Sequence, residues 1–168
     1  MNRKGFTLIE LIVVIAIIAI LAAIVAPNAF RAIEKGKISA IIADYKAIKT
    51  GAMGYYADTG AWPADGVGPN RLAFVITDGV AGWDGPYLEK WPARNPWGGA
   101  YTFQNDAALN WDGVAGNDQA YYVDSTLVPA ASVTRVDEKV DGVSNNAVGD
   151  IQYTVAAPTE TVNMLIAR

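Results

Sequence analysis

The chain has 168 residues, 13 basic and 17 acidic side chains, a formal net charge of −4, and neither cysteine nor histidine. That inventory excludes disulfide staples, thiol catalysis, Cys/His zinc sites and imidazole acid/base chemistry, and the length holds one membrane helix plus one domain of ordinary size. The 52% apolar content is inflated by the first 30 residues, and the remainder, punctuated by Gly, Pro, Asp and Asn among recurring Trp, Tyr, Ile and Val, reads as a loop-rich globular head.

Arg3 and Lys4 precede an apolar run from Leu11 to Ala26, and Glu10 stands at its start. An acid inside a membrane helix is costly, on the order of 2.5 to 3.5 kcal/mol at the helix centre, and usually has a partner and a task. A secretory signal cut before Pro27 is disfavoured by the acid in its apolar core and by the proline after the cut. A plain anchor leaves Glu10 unexplained. The basic start and later placement of Arg31, Lys35 and Lys37 keep the short leader cytoplasmic by the positive-inside rule.

A third reading accounts for every position. A basic leader ends in Gly5, Phe6 follows, then Thr7-Leu8-Ile9-Glu10-Leu11, and an aliphatic helix continues to Pro27. This segment resembles the class III leader and N-terminal helix of type IV pilins and of their relatives, the pseudopilins of type II secretion. The resemblance implies cleavage after Gly5 by a prepilin peptidase, N-methylation of Phe6, and assembly of identical subunits into a filament by inner-membrane machinery. Cleavage would create a cationic amine at Phe6, and Glu10 lies four residues on, close to one helical turn. If the amine of an incoming copy meets Glu10 of the copy in place, both charges are neutralised only in the right axial register. Gly5 and Phe6 are thus the expected processing residues, and Phe6, Glu10 and Pro27 the expected assembly residues.

Leu8 to Ala26 suits lipid before assembly and a bundle of its own copies afterwards. Pro27 lacks an N–H and its ring opposes the Ala23 carbonyl, which predicts a kink or local unwinding. Beyond Asn28, Ile38, Ile41, Ile42, Tyr45, Ile48, Ala52 and Tyr55 recur at three- and four-residue steps, with Lys37, Asp44, Lys46 and Lys49 on other faces. Gly51 and Gly54 are expected to weaken the last turn before Asp58-Thr59-Gly60 ends it. The expected organisation is a leader 1–5, a transmembrane and polymerisation helix 6–27, an amphipathic stem helix 28–57 and a head 58–168. Phe30 to Lys49 carries five basic residues against two acids, a balance of +3, and the chain from Gly51 carries fourteen acids against six basic residues, a balance of −8. A basic stem and an acidic head could attract each other between copies, or be two solvated faces.

From Trp62 to Asn95 turn residues dominate, with a short helix or turn over 71–77. Gly85-Pro86-Tyr87-Leu88, Trp91-Pro92 and Asn95-Pro96-Trp97-Gly98-Gly99-Ala100-Tyr101-Thr102-Phe103 resemble stretches shared by disulfide-free pilins and major pseudopilins. Read from the residues alone, the prolines fix an extended approach, Gly98-Gly99 turns, and Tyr101 and Phe103 share one face of a first strand. Aromatic and proline clusters of this kind are core and turn rather than a ligand platform. Strands are expected over 120–128, 151–155 and 162–166, with a short helix or turn over 133–140. The fold class is α+β, a long N-terminal helix packed on a small antiparallel β-sheet head, the type IV pilin fold that the resemblance implies.

No phosphate loop, catalytic triad or catalytic metal cluster is legible, so the chain is not read as an enzyme. Asp137 and Asp141 stand one helical turn apart but look like exposed turn residues. The resemblance to major pseudopilins raises calcium as the one cofactor to weigh, with Asp141, Asn145, Asn146 and Asp150 as oxygen ligands; the spacing is not that of an EF-hand, and Asp, Asn and Gly also make ordinary turns. Asp112-Gly113 with Asn117-Asp118 is a second acidic turn of the same kind. A pI near 4.7 gives no basic footprint for nucleic acid. The expectation is a structural filament subunit, a homo-oligomer whose precursor sits in the inner membrane with its head periplasmic or extracellular. It would serve a surface pilus for adhesion or motility or, alternatively, a secretion pseudopilus as its major pseudopilin; a membrane-anchored periplasmic binding module is the third reading.

Overall fold

The computed structural model describes residues 5–65, 73–106, 111, 120–142, 145, 149–153 and 159–167. Two compact units, Met1–Gly36 and Lys37–Arg168, divide the chain, and helix α1, Leu8–Thr59, contributes to both. The remaining elements are β1 Tyr101–Asp106, β2 Ala120–Pro129, α2 Ala130–Val140, β3 Ile151–Tyr153 and β4 Thr159–Ala167.

In the first unit every side chain from Gly5 to Ile33 is exposed. This stretch of α1 is long and apolar enough to cross a membrane by length and composition. Helical order runs unbroken through Pro27, so of the kink or local unwinding expected there the unwinding does not occur. Ala22, Ala23, Ala26 and Ala29 surround the proline, and alanine is the strongest helix former, so the missing N–H is tolerated without melting the flanking turns.

In the second unit the stem stripe is buried as its period predicts: Ile38, Ile41, Tyr45, Ile48, Ala52 and Tyr55 enter the core, while Ile42 packs at its edge. Each fully enclosed isoleucine contributes about 1.5 to 3 kcal/mol. Gly51 is also buried, and its role differs from the expected weakening of the helix end. A Cβ at Gly51 would stand 3.2 Å from Leu88 Cγ and 3.3 Å from the Tyr87 carbonyl oxygen. The glycine admits the Tyr87–Leu88 segment against the helix, and the helix continues to Thr59.

The sheet is antiparallel, in the order β1-β2-β4-β3. One face carries Tyr101, Phe103, Val123, Val128, Ile151, Val162 and Met164 into the same core as the stem stripe. The opposite face carries the cross-strand row Thr102, Asp124, Asn163 and Gln152. A second small cluster of Trp111, Ala120 and Leu165, with Tyr122 packed against it, completes the packing. Trp111 is fixed there by donating from Nε1 to the Gly149 carbonyl (2.8 Å) and accepting at its own carbonyl from Gln152 Nε2 (2.7 Å).

Pairing of β2 with β4 shifts between Ser125 and Val128. At that bulge Leu127 adopts φ 60°, and its side chain is exposed. The approach to β1 is organised around the bulge by Asn95, which is buried. Its Nδ2 donates to Ser125 Oγ (2.9 Å) and the Thr126 carbonyl (2.6 Å), and its Oδ1 accepts from the amides of Trp97 (2.9 Å) and Gly99 (3.0 Å). Gly99 is required here because a Cβ would stand 1.9 Å from the Thr126 oxygen. The aromatic and proline segment is core and turn, as expected: Phe74 lies 5.2 Å from Trp91 and 5.6 Å from Phe103 between ring centroids. Phe74 and its neighbours form a turn with no helix over 73–77, and 66–72 lie outside the described residues.

Candidate functional site

The N-terminal motif stands free of the rest of its own unit. Gly5 has open space where a side chain would be, and Phe6 is 73% exposed, which leaves the Gly5–Phe6 bond reachable. Phe6, Ile9, Glu10, Val13 and Val14 line a shallow apolar depression along one side of the helix. The Glu10 carboxylate at its rim is engaged locally: Oε2 accepts from the Thr7 amide (2.8 Å) and the Thr7 hydroxyl (2.6 Å), while the Glu10 amide donates to Thr7 Oγ1 (3.3 Å). Thr7 was read in the sequence only as part of a motif. The signal for its role was present, since Thr-x-x-Glu ahead of an apolar run is the signature of a capping box.

The stem cations were expected either to attract the acidic head of a neighbouring copy or to be solvated, and one of them meets the head of its own chain. Lys49 pairs with Asp150 of the head at 3.3 Å and also donates to Tyr45 Oη (3.2 Å) and the Leu165 carbonyl (3.3 Å). Tyr45 itself donates to the Leu165 carbonyl. Burial, with the charges of Asp150 and Asp141 added, pushes the Tyr45 phenol far above its ordinary range. Asp44 accepts from the Tyr101 hydroxyl at 2.8 Å, and desolvation raises its carboxyl pKa despite that bond. Lys37 lies 5.8 Å from the centre of the Trp97 ring, whereas Lys46 is exposed. Attraction between basic stem and acidic head therefore operates within one chain at Lys49.

The acids near the C-terminal turn of α2 are also bound up in structure. Asp137 was expected to be exposed and is fully buried, because α2 turns it inward with Val133 and Val136. Its Oδ2 accepts from the Asn145 amide at 2.7 Å. Asp141 Oδ2 accepts from the Ile151 amide at 2.9 Å. Desolvation first, with Asp141 next to it, pushes the Asp137 carboxyl up to about 6. Of the four residues weighed for calcium, Asp141 and Asp150 thus have protein partners, Asn145 is exposed with its amide held by Asp137, and Asn146 lies outside the described residues. Asp112, Gly113, Asn117 and Asp118 also lie outside them. No group of three or more acidic side chains that would hold a metal ion forms among the described residues. Glu160, buried on the core face of β4, has its carboxyl pKa raised by desolvation, so part of the head's acidity is interior.

Comparison with known proteins places these features together. Residues 1–26 match the prokaryotic N-terminal methylation motif, and residues 32–118, just over half of the chain, match the PilW C-terminal family. The type II secretion system core protein G of Pseudomonas aeruginosa is 36% identical over 105 residues, covering 60% of this chain and 72% of that protein. No solved structure matches the chain.

Proposed function

Because the chain belongs to the type IV pilin and type II secretion pseudopilin family, we propose that it is made as an inner-membrane precursor, cut after Gly5, methylated on Phe6 and assembled into a helical filament through α1. As a pilin-like subunit its work is structural, and no reaction is assigned to it. The observation that carries the reading is the coincidence of a methylation motif over residues 1–26 with an apolar helix on which, among the described residues of its own unit, every position from Gly5 to Ile33 is exposed. In lipid those side chains face acyl tails; in a filament they face the same helices of other copies. The polymer can thus leave the membrane without exposing an apolar surface.

Glu10 supplies register in this scheme. Lone charges in lipid are costly, so an incoming amine at Phe6 opposite Glu10 of a seated copy is favoured over neighbouring offsets. Pro27 removes one backbone hydrogen bond from α1 at the carbonyl of Ala23, a point where an assembled helix can yield. Identity to a type II secretion core protein favours a periplasmic pseudopilus as the second reading of the same filament. Intact mass and electron microscopy of the fraction sheared from cells test the proposal. A chain that begins at methylated Phe6 within filaments, with filaments lost in Glu10→Ala, is expected. Uncut or unassembled protein indifferent to Glu10 would overturn it.

A further inference from the structure

The three hydrogen bonds between Thr7 and Glu10 give the acid a task inside its own chain. The first turn of a helix leaves its amides without intrahelical partners, and a hydrocarbon environment offers no water in their place. Here the Thr7 carbonyl accepts from the Leu11 amide (3.3 Å), opening the helical ladder, and Thr7 and Glu10 exchange side-chain bonds to each other's amides across three residues. The hydroxyl does double duty, accepting from the Glu10 amide and donating to the Glu10 carboxylate. Both bonds to that carboxylate end on the same oxygen, Oε2, which fixes the side chain along the helix start beside Phe6.

We propose that Thr7 is the positioning residue for the inter-chain charge pair: it holds Glu10 in a reciprocal N-cap, so that the acid enters the filament seam already satisfied on its own helix and oriented toward the amine of a second copy. This rests on the filament reading above and adds a requirement to it. The cap needs an oxygen at position 10 and a hydroxyl at position 7, whereas the inter-chain pair needs the negative charge. Glutamine at position 10 keeps the first and removes the second, and valine at position 7 matches threonine in shape while removing the hydroxyl.

Two measurements on the mature full-length chain separate these roles. In cells, sheared filaments are quantified for the unaltered chain, Thr7→Ser, Thr7→Val and Glu10→Gln, with intact mass confirming cleavage after Gly5. The cap predicts that Thr7→Ser assembles within about twofold of the unaltered chain and that Thr7→Val falls by roughly fivefold or more, the loss expected from deleting an N-cap. In detergent micelles, amide exchange at Thr7 and Glu10 is followed by NMR on the unassembled chain. Glu10→Gln should leave the Thr7 amide protected and Glu10→Ala should speed its exchange about fivefold, although neither variant forms filaments. Thr7→Val filaments at the unaltered level, or a Thr7 amide indifferent to Glu10→Ala, would overturn the proposal. Where Thr7→Val retains its leader, the micelle comparison decides alone. If the unaltered chain never enters filaments the filament reading fails, and the micelle data still judge the cap.

Discussion

Replacing Asn95 by alanine removes four side-chain hydrogen bonds at once, to Ser125 Oγ, the Thr126 carbonyl and the amides of Trp97 and Gly99. Ser125 and Gly99 are buried and cannot turn to water, whereas Trp97 and Thr126 are half-buried. A buried group left without a partner costs about 1 to 3 kcal/mol, and a lost bond that water can replace costs about 0.5 to 1.5 kcal/mol. Two of each kind, discounted for relaxation of the loop, give a loss of about 3 kcal/mol. For a domain of this size each kcal/mol lowers Tm by roughly 3 to 5 °C, so Asn95→Ala should melt about 10 °C lower. Near-ultraviolet circular dichroism of the full chain in detergent reads the transition through Trp91 and Trp97. Asn95→Asp is the sharper variant: it keeps acceptors for the two amides but sets a carboxylate against the Thr126 oxygen, and should melt at least as low as Asn95→Ala. An Asn95→Ala shift below about 2 °C, or an aspartate tolerated as well as asparagine, would show that the β2 bulge and the Asn95 to Gly99 turn hold their geometry without this amide.

Asp137→Asn should stabilise the head above pH 6 and flatten its pH dependence. The Asp137 carboxyl titrates near 6 in the fold against 3.8 when unfolded, so the folded state binds more protons between those values and stability falls as pH rises through that window. Urea unfolding at pH 4, 5, 6 and 7 checks this, and an Asp137→Asn chain with the slope of the unaltered one would contradict it. Tyr45→Phe should cost about 1 kcal/mol, since Lys49 still donates to the Leu165 carbonyl; a denaturation midpoint equal to that of the unaltered chain would show that the phenol bond contributes nothing.

Much of the fold was legible because its signals are periodic. The stem stripe of Ile38, Ile41, Tyr45, Ile48, Ala52 and Tyr55 announced both a helix and its buried face, and alternation at Tyr101 and Phe103 announced the face of β1. The helix over 133–140 was found three residues short at its start, because Ala130 to Ser132 carry no apolar period and Pro129 precedes them as the helix begins. Strand order could not be read, since nothing in the local pattern of β4 says that it lies between β2 and β3. Residue type alone makes Asp137 look like an exposed turn residue and leaves the partners of Asp44 and Lys49 open. Their burial or pairing depends on Asn145, Tyr101 and Asp150, which the chain brings up from 8, 57 and 101 residues away. At the N-terminus the balance reversed. Gly5, Phe6 and Glu10 form a local motif that the sequence displays whole, and the Thr7 cap, passed over there, is equally local.

The strand order sets a sequence of events for a chain that folds in the direction of its synthesis. β1 and β2 can pair once Pro129 has been made, but β3 has its partner in β4, which arrives later and inserts beside β2. Val162 and Met164 come with it, so until that moment the core they share with the stem stripe stays incomplete. A partly made molecule therefore differs from a finished one by an incompletely covered apolar stem rather than by a missing appendage. The order of four strands thus decides when the stem is covered, and the last strand to be made is the one that closes the core.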